Sequence, residues 1–268
     1  MGNKMKKITI ITLIIIVLMA SITFGFNDVN SNSWHSNAIS KISAMGIMNG
    51  DNGDFRPDDN VTRAELAATI INTIEYMESD YDSKMANEID TILSSLSSAV
   101  YIIANNGETF GSGIFLSERG RILTAYHVVK GNDIVDINAI GNSQLRARVI
   151  GYSEEYDLAL LQVDGSVKLF DYVEISEYAP LILDRVYAIG NPFNLRNTIS
   201  SGFVSNNSYN KMQMDISINS GNSGGAIINS DGKLVGIALS IIDPSKGSGI
   251  GFSATLYQIA EFLEKNNK

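Results

Sequence analysis

The chain has 268 residues, 44% of them hydrophobic and 18% charged, and a formal net charge of −9. This length can bury one sizeable core with room for a smaller module, and an acidic chain repels nucleic-acid backbone, so we expect no nucleic-acid partner. The sequence has no cysteine, which excludes disulfides, thiol catalysis and cysteine-ligated metal sites.

The N-terminal segment, residues 1–25, has the composition of an export signal. Three lysines near the start precede an apolar run over residues 8–20. This order is typical of a secretory signal peptide, with small residues ahead of a cut before Phe26. An uncleaved N-terminal anchor is the alternative, because residues 8–26 are long enough to span a bilayer. Both interpretations export the rest of the chain, and an exported protein without cysteine suits a bacterial envelope.

Residues 26–77 predict a helix–loop–helix unit. Apolar residues recur at helical spacing between Trp34 and Met45, and a glycine-punctuated loop follows them. Thr62 and Glu65 then have the spacing of a capping box, which predicts the start of a second helix. The apolar residues at helical spacing along this second helix are Leu66, Ile70, Ile71, Ile74 and Met77.

The same residues 26–77 resemble the surface-layer homology (SLH) module. The matching residues are Phe26-Asn27-Asp28-Val29, Trp34, Ala38-Ile39, Gly46-Ile47-Met48-Asn49-Gly50, Phe55-Arg56-Pro57 and Val61-Thr62-Arg63-Ala64-Glu65. The resemblance implies non-covalent attachment to a cell-wall polysaccharide, and we assign the glycan contact to Trp34 and Arg63. Members of this family often carry three copies, whereas we find one, which would act through avidity in a homo-oligomer such as a trimer. A purely structural helical hairpin is the alternative.

Residues 78–98 predict a linker followed by a helix. The polar stretch Glu78–Asp82 has the composition of an interdomain linker. An apolar stripe then runs along a predicted helix over Lys84–Leu96. We expect this helix to pack on the following domain or to pair with a partner copy.

Residues 99–268 change to the short, β-prone runs of an all-β sandwich or barrel, separated by turn signals. A final helix is predicted over Leu256–Leu263. The predicted strands are Ala99–Ala104, Gly113–Leu116, Arg121–Thr124, Ala147–Val149, Leu158–Val163, Val186–Ile189, Met212–Ile216, Ala226–Ile228 and Leu234–Leu239.

Ser223 lies in a glycine-rich turn, Asn-Ser-Gly-Asn-Ser-Gly-Gly, over residues 219–225. Glycine permits the sharp turn that could aim two backbone N–H groups at one point beside a hydroxyl, as in an oxyanion hole. We therefore predict an oxyanion hole over Gly221, Asn222 and Ser223, with the N–H groups of Gly221 and Ser223 as donors. A tight turn between two strands is the alternative.

The order of residues along the chain favours a particular kind of serine chemistry. Both histidines, His35 and His127, precede Ser223, which excludes the nucleophile elbow of α/β-hydrolases unless another residue replaces their base. The order His127, Asp157, Ser223 is that of the chymotrypsin-like arrangement. A serine hydroxyl needs an adjacent base, imidazole can take and return its proton, and a carboxylate can orient the imidazole.

Residues 99–265 resemble the trypsin-like serine endopeptidases of the HtrA (Deg) type. The matching stretches are Gly111-Ser112-Gly113-Ile114, residues 122–129, Asp157-Leu158-Ala159-Leu160-Leu161, Ala188-Ile189-Gly190-Asn191-Pro192-Phe193, residues 201–205, Gly221-Asn222-Ser223-Gly224-Gly225 and Gly249-Ile250-Gly251-Phe252. The resemblance implies a mainly β fold, a chymotrypsin-like double β-barrel of six strands each, behind the small α-helical SLH module. It implies His127 as general base, Asp157 as its orienting group and Ser223 as nucleophile, with no cofactor or metal.

Two departures from relatives affect regulation. Asn222 stands where digestive trypsin-like enzymes have aspartate, so activation by an ion pair with a freed N-terminus is not expected. The chain ends at Lys268, so we expect no peptide-sensing PDZ domain.

The predicted function is an exported cell-envelope serine endopeptidase that cleaves protein or peptide substrates. The substrate pocket is predicted to be lined by Ile218, Ala238, Leu239 and Ser240, which are apolar or small, so we expect cleavage after small or medium apolar residues. The alternative is a catalytically inactive protease-like barrel that acts as a surface binding module.

Overall fold

The structure is a computed structural model that describes residues 25–104, 107, 109–139, 144–165, 169–216, 218–241 and 249–266. The predicted export signal lies outside these residues, apart from Gly25. The described chain divides into two compact units, with the boundary between Met85 and Ala86.

The first unit contains helix α1, Ser36–Ala44, and the first two thirds of helix α2, Arg63–Ser95. The predicted capping box is confirmed, because the Thr62 hydroxyl accepts from the N–H of Glu65 at 3.2 Å and the Glu65 carboxylate accepts from the N–H of Thr62 at 2.8 Å. The Asp28 carboxylate accepts from the N–H groups of Phe55 at 2.8 Å and Arg56 at 2.6 Å, which hold the pKa of Asp28 below its ordinary value. These contacts fasten the loop between the helices.

The apolar side chains of α2 within this unit are largely uncovered. Their spacing is helical, as predicted, but the helix presents them to solvent over about half of their surface. Scattered exposed apolar residues are normal, whereas a continuous series on one helix indicates a contact surface. The exposed fractions are Leu66 49%, Ile70 51%, Ile71 53%, Ile74 47% and Met77 63%.

The predicted linker over residues 78–82 is wrong, because α2 continues through it without a break. Glu78–Asp82 contains neither glycine nor proline, so nothing in it disfavours a helix strongly. The Asp80 carboxylate also pairs with the Lys84 ammonium at 2.8 Å, one helical turn apart. Polarity alone therefore did not distinguish a linker from a solvated helix.

The second unit contains two closed six-stranded antiparallel barrels, as predicted, together with a short helix α3, Tyr126–Val129, and a C-terminal helix α4, Leu256–Asn266. The first barrel has the strand order β1-β2-β3-β6-β5-β4, and the second repeats it as β7-β8-β9-β12-β11-β10. The strands are β1 Ala99–Ala104, β2 Thr109–Phe115, β3 Arg121–Ala125, β4 Ile134–Ala139, β5 Leu145–Ser153, β6 Leu158–Val163, β7 Arg185–Gly190, β8 Thr198–Asn207, β9 Met212–Met214, β10 Ala226–Asn229, β11 Leu234–Ile241 and β12 Gly251–Thr255.

Three strands were not predicted from the sequence, namely β4, β8 and β12. Strand β8 contains three serines, two asparagines and a glycine, and β12 is a short strand of small residues apart from Phe252. Neither has the apolar alternation that marks a half-buried strand. Pairing on both sides within a closed barrel holds them, with β8 between β7 and β9 and β12 between β9 and β11.

Three apolar clusters form the core of the second unit. One fills the first barrel around Ile102 and Phe115, another fills the second barrel around Met212, and the third combines residues of both barrels. Ile92 of α2 is buried in the third cluster. The predicted packing of this helix on the domain that follows is therefore confirmed.

Glu88 is a polar attachment between α2 and the second barrel. Its carboxylate accepts from the Tyr187 hydroxyl at 2.5 Å and from the Ser230 hydroxyl at 2.8 Å. These two donors, Tyr187 first, hold the pKa of Glu88 below its ordinary value of 4.5. The charged carboxylate therefore stabilises the folded chain.

We expect Glu88→Gln to lower the free energy of unfolding at pH 7 and to lower it less at acid pH. A carboxyl with a depressed folded pKa contributes stability above its unfolded pKa, near 4.5, and loses that contribution as the pH falls through the folded value. Urea unfolding midpoints of both chains at pH 7 and between pH 3 and 4.5 measure the difference. The exposed Glu177→Gln is the control, and an equal difference from parent at both pH values for Glu88→Gln would contradict the expectation.

Candidate active site

The pairing of β3 with β6 brings His127 and Asp157 together. Ala125 at the end of β3 lies opposite Leu158 at the start of β6. The residue before β6, Asp157, is therefore beside the two residues that follow β3, Tyr126 and His127. The sequence places the two 30 positions apart, and the barrel register makes them neighbours.

Asp157 holds the His127 segment by three hydrogen bonds. One carboxylate oxygen lies 2.7 Å from His127 Nδ1, the other accepts from the backbone N–H of His127 at 2.9 Å, and the Asp157 carbonyl accepts from the N–H of Tyr126 at 3.0 Å. Asp157 has φ +52°, a left-handed conformation that aspartate tolerates better than most residues. A carboxylate on Nδ1 selects the tautomer that leaves Nε2 as a proton acceptor.

The glycine turn that carries Ser223 contacts both barrels. The N–H of Ser112 on β2 donates to the Ser223 carbonyl at 2.8 Å, and the N–H of Gly224 donates to the carbonyl of Ala238 on β11 at 2.7 Å. A Cβ on Gly224, at φ +82°, would lie 2.2 Å from the Ser112 carbonyl oxygen and 2.9 Å from the backbone nitrogen of Ala125. The Ser223 turn thus packs against the end of β3, two residues before His127.

The Ser223 hydroxyl itself donates to the carbonyl of Leu239 at 3.1 Å. Within the described part of the chain it makes no hydrogen bond to the His127 ring. The structure therefore brings the three predicted catalytic segments together, but the hydroxyl is turned to the second barrel.

Two peptide units in the turn are oriented by hydrogen bonds on their carbonyls. The Ser220 carbonyl accepts from Phe193 N–H, and the Asn222 carbonyl accepts from Gly225 N–H, both at 2.8 Å. Because N–H and C=O point in opposite directions in a trans peptide, the N–H groups of Gly221 and Ser223 point away from these donors. Among the described residues neither N–H is bonded.

The backbone N–H of Asn222 is not a free donor, so the prediction that Asn222 contributes to the oxyanion hole is wrong for this group. Its N–H donates to the Asn219 carbonyl at 2.9 Å, inside the turn. This N–H is therefore occupied, and its side chain is buried.

The predicted pocket residues belong mainly to the core of the second barrel. Ile218 and Ala238 are 2% and 1% exposed, and Leu239 is partly buried. The side chain of Ser240 lies outside the described residues. A Cβ on Gly251 would lie 2.6 Å from Ile218 Cγ1. Strand β12 therefore has room only for glycine where it packs against Ile218.

The residues assigned to glycan binding lie in the first unit. Trp34 is 92% exposed and meets the His35 ring edge-on at 5.3 Å. Arg63 is exposed at the first position of α2. Trp34 and Arg63 share no hydrogen bond or cation–π contact in the described residues.

Sequence reasoning missed a buried polar network behind the turn. Ser112 and Asn191 are 0% and 1% exposed, and each hydrogen-bonds to the other. The sequence offered one signal for this network, a serine between two glycines, Gly111 and Gly113.

The described residues contain no group of three or more histidine, aspartate and glutamate side chains arranged to hold a metal ion. No helix within the described ranges combines the length and apolarity needed to cross a bilayer.

Comparison with known families defines the class of protein. The trypsin-like peptidase domain matches residues 111–237, and the S-layer homology domain matches residues 25–67. The paired barrels, the His127–Asp157 pair and the glycine turn fall in the first of these matches. The chain therefore contains a trypsin-like peptidase domain with an S-layer homology domain before it in the sequence, and the relatives it matches include DegP-like serine endoproteases.

Its relatives include bacterial serine endoproteases and a chloroplast protease of Arabidopsis thaliana. A probable periplasmic serine endoprotease, DegP-like, of Rickettsia conorii is 29% identical over 98% of this chain and 57% of the relative. The periplasmic pH-dependent serine endoprotease DegQ of Escherichia coli is 36% identical over 54% of this chain and 34% of the relative. The serine endoprotease of Yersinia pestis has a TM-score of 0.61 at 31% identity, covering 66% of this chain and 65% of that structure. The chain thus spans between about a third and just over half of these curated relatives.

Proposed function

We propose that this chain is an exported serine endopeptidase of the bacterial cell envelope that hydrolyses peptide bonds through His127, Asp157 and Ser223. The observation that carries the proposal is the Asp157 carboxylate, which holds both the ring and the backbone of His127. A histidine oriented in this way is prepared to take a proton at Nε2.

In the proposed reaction, a bound peptide displaces the Ser223 hydroxyl from the Leu239 carbonyl towards His127. Nε2 takes the hydroxyl proton as Ser223 Oγ attacks the scissile carbonyl carbon, and the carbonyl oxygen becomes an oxyanion facing the N–H groups of Gly221 and Ser223. The imidazolium, stabilised by Asp157, gives the proton to the leaving amine. Water repeats the sequence on the acyl-enzyme and releases the second product.

The proposed substrate preference rests on Leu239, the partly buried member of the predicted pocket, which carries no charge that could pair with a basic side chain. Ile218 and Ala238 lie in the barrel core, so their prediction as pocket-lining residues is wrong. We propose cleavage after small or medium apolar residues. A peptide-library digest with a lysine or arginine preference would contradict this.

A fluorophosphonate probe tests the catalytic assignment, because it reacts with a serine activated by a base and an oxyanion hole. We expect mass spectrometry to locate the label on Ser223. Ser223→Ala should lose both labelling and casein hydrolysis. Retained hydrolysis in this variant would end the proposal.

A second candidate is an inactive barrel that binds proteins or glycan. It is favoured by the hydrogen bond from the Ser223 hydroxyl to Leu239 rather than to the His127 ring. Folded parent protein that never labels on Ser223, at any substrate or probe concentration, would support this candidate.

The S-layer homology domain supports retention at the cell wall. We propose that Trp34 and Arg63 contact wall polysaccharide, and that copies associate through the exposed apolar side chains of α2, including Ile70 and Ile74, so that avidity strengthens single weak contacts. Sedimentation equilibrium of the full chain measures this association.

Trp34→Ala is expected to weaken binding to purified wall polysaccharide by about tenfold, since a fully exposed indole contributes stacking and little fold stability. Pull-down of parent and variant across a concentration series measures it. The melting temperature should not change. Equal binding by the two chains would remove Trp34 from the glycan contact.

A further inference from the structure

The Ser112 hydroxyl lies at a buried junction between the two barrels. Ser112 is on β2 of the first barrel and is 0% exposed. Its Oγ donates to the carbonyl of Gly221 at 2.6 Å, and it accepts from the backbone N–H of Asn191 at 2.9 Å and from Asn191 Nδ2 at 3.0 Å. A hydroxyl has one proton and two lone pairs, so these three contacts use its full capacity.

Asn191 determines where the Ser112 proton points. Its side chain is 1% exposed, its amide nitrogen also donates to the Val100 carbonyl at 3.2 Å, and its amide oxygen accepts from the N–H of Asn197 at 3.0 Å. Both Ser112 lone pairs therefore face donors that belong to Asn191. The single hydroxyl proton is left for Gly221.

Ser112 also holds the turn a second time, through its backbone. Its N–H donates to the Ser223 carbonyl at 2.8 Å, while its own carbonyl accepts from the Thr124 hydroxyl at 2.6 Å. One residue of the first barrel thus holds the carbonyls on both sides of Asn222. These are the carbonyls of the two residues whose N–H groups are the proposed oxyanion donors.

We propose that Ser112 is a positioning residue for peptide hydrolysis: its hydroxyl, locked by Asn191, fastens Gly221 so that the oxyanion donors face the substrate. Gly221 has φ +97° and no side chain, so its backbone has few other restraints. Without the hydroxyl, its buried carbonyl has no partner at this point and shifts to find one. A displacement of about 1 Å at a reacting centre costs about 10²-fold in rate.

This inference rests on the proposed function, and its test is the split between kcat and KM. Ser112→Ala should lower kcat about 10²-fold with KM within about threefold, because the oxyanion exists in the transition state and not in the bound substrate. A peptide boronate, which forms a tetrahedral adduct on the serine, should lose affinity by a similar factor. An unchanged kcat, or a loss confined to KM, would overturn the role.

Ser253→Ala is the matched control, since Ser253 is equally buried and its hydroxyl has no hydrogen-bond partner in the described residues. It should leave kcat within about twofold. A loss of kcat equal to that of Ser112→Ala would show a general effect of buried hydroxyls and overturn the inference.

Asn191→Ala is a second test of the inference, and it does not require that the Ser112→Ala variant folds. It removes one of the two donors that orient the hydroxyl, so kcat should fall with KM preserved. The double variant should be no more than about twofold slower than the slower single variant, and additive losses would overturn the coupling. Failure of this inference is distinct from failure of the function: the latter appears as activity that survives Ser223→Ala.

Discussion

Asp157→Asn should lower kcat about 10⁴-fold while leaving the chain folded. Asparagine has the shape of aspartate, so the two contacts of the side chain to His127 have groups at the same positions. The charge and one acceptor are lost. The expected loss comes from the tautomer of the ring rather than from its displacement.

The geometry shows why the asparagine cannot serve both contacts. In the parent chain one oxygen accepts from the His127 backbone N–H at 2.9 Å and the other faces Nδ1 at 2.7 Å. If the amide oxygen keeps the backbone contact, the amide NH₂ faces Nδ1 and requires Nδ1 to accept. The ring proton then sits on Nε2, which can no longer take a proton from Ser223.

Glu154→Gln is the control for this change, because it also converts a carboxylate into an amide on the same loop. Glu154 accepts from the Tyr126 hydroxyl at 3.2 Å and has no contact with the His127 ring. Its kcat should stay within about twofold of parent in a peptide-hydrolysis assay. Full activity in Asp157→Asn, with circular dichroism unchanged, would remove Asp157 from the mechanism.

Most strands that carry apolar residues could be predicted, with β4, Ile134–Ala139, as the exception, whereas the mostly polar strand β8 could not. Strand β6, Leu158–Val163, is apolar at every position except Gln162 and was predicted with its observed bounds. Strand β8, Thr198–Asn207, is mostly polar, and only its neighbours β7 and β9 make it a strand. The periodicity of apolar residues predicts which positions are buried. It therefore does not detect strands that are held mainly by backbone hydrogen bonds to their neighbours.

The active-site segments were predictable from residue types and order, whereas their supports were not. His127, Asp157 and Ser223 follow one another in the order of a known catalytic arrangement, and the resemblance implied a role for each. The contact of Ser112 with Gly221 spans 109 positions and joins two common residue types. The bond from Ser223 to Leu239 depends on a side-chain rotamer, which no sequence pattern encodes.

Gly224→Ala should lower the free energy of unfolding by about 3 kcal/mol and abolish hydrolysis. Gly224 has φ +82°, and an added Cβ would lie 2.2 Å from both the Ser112 carbonyl oxygen and the Thr124 hydroxyl. The left-handed conformation costs an L-residue about 1–2 kcal/mol, and overpacking typically adds about 1–3 kcal/mol. The neighbours that would have to move include Ser112, whose N–H and hydroxyl hold the turn to the first barrel.

Gly131→Ala separates these two costs. Gly131 has nearly the same conformation, φ +81°, but an added Cβ would meet nothing within 4 Å. Its variant should therefore lose only about 1 kcal/mol, the conformational part. Urea unfolding of both variants gives the difference, which measures how closely the Ser223 turn is pressed against the first barrel. Equal losses at the two positions would mean that the Ser223 turn has room to relax. Close packing of this turn on β3 would then not be what holds Ser223 in place.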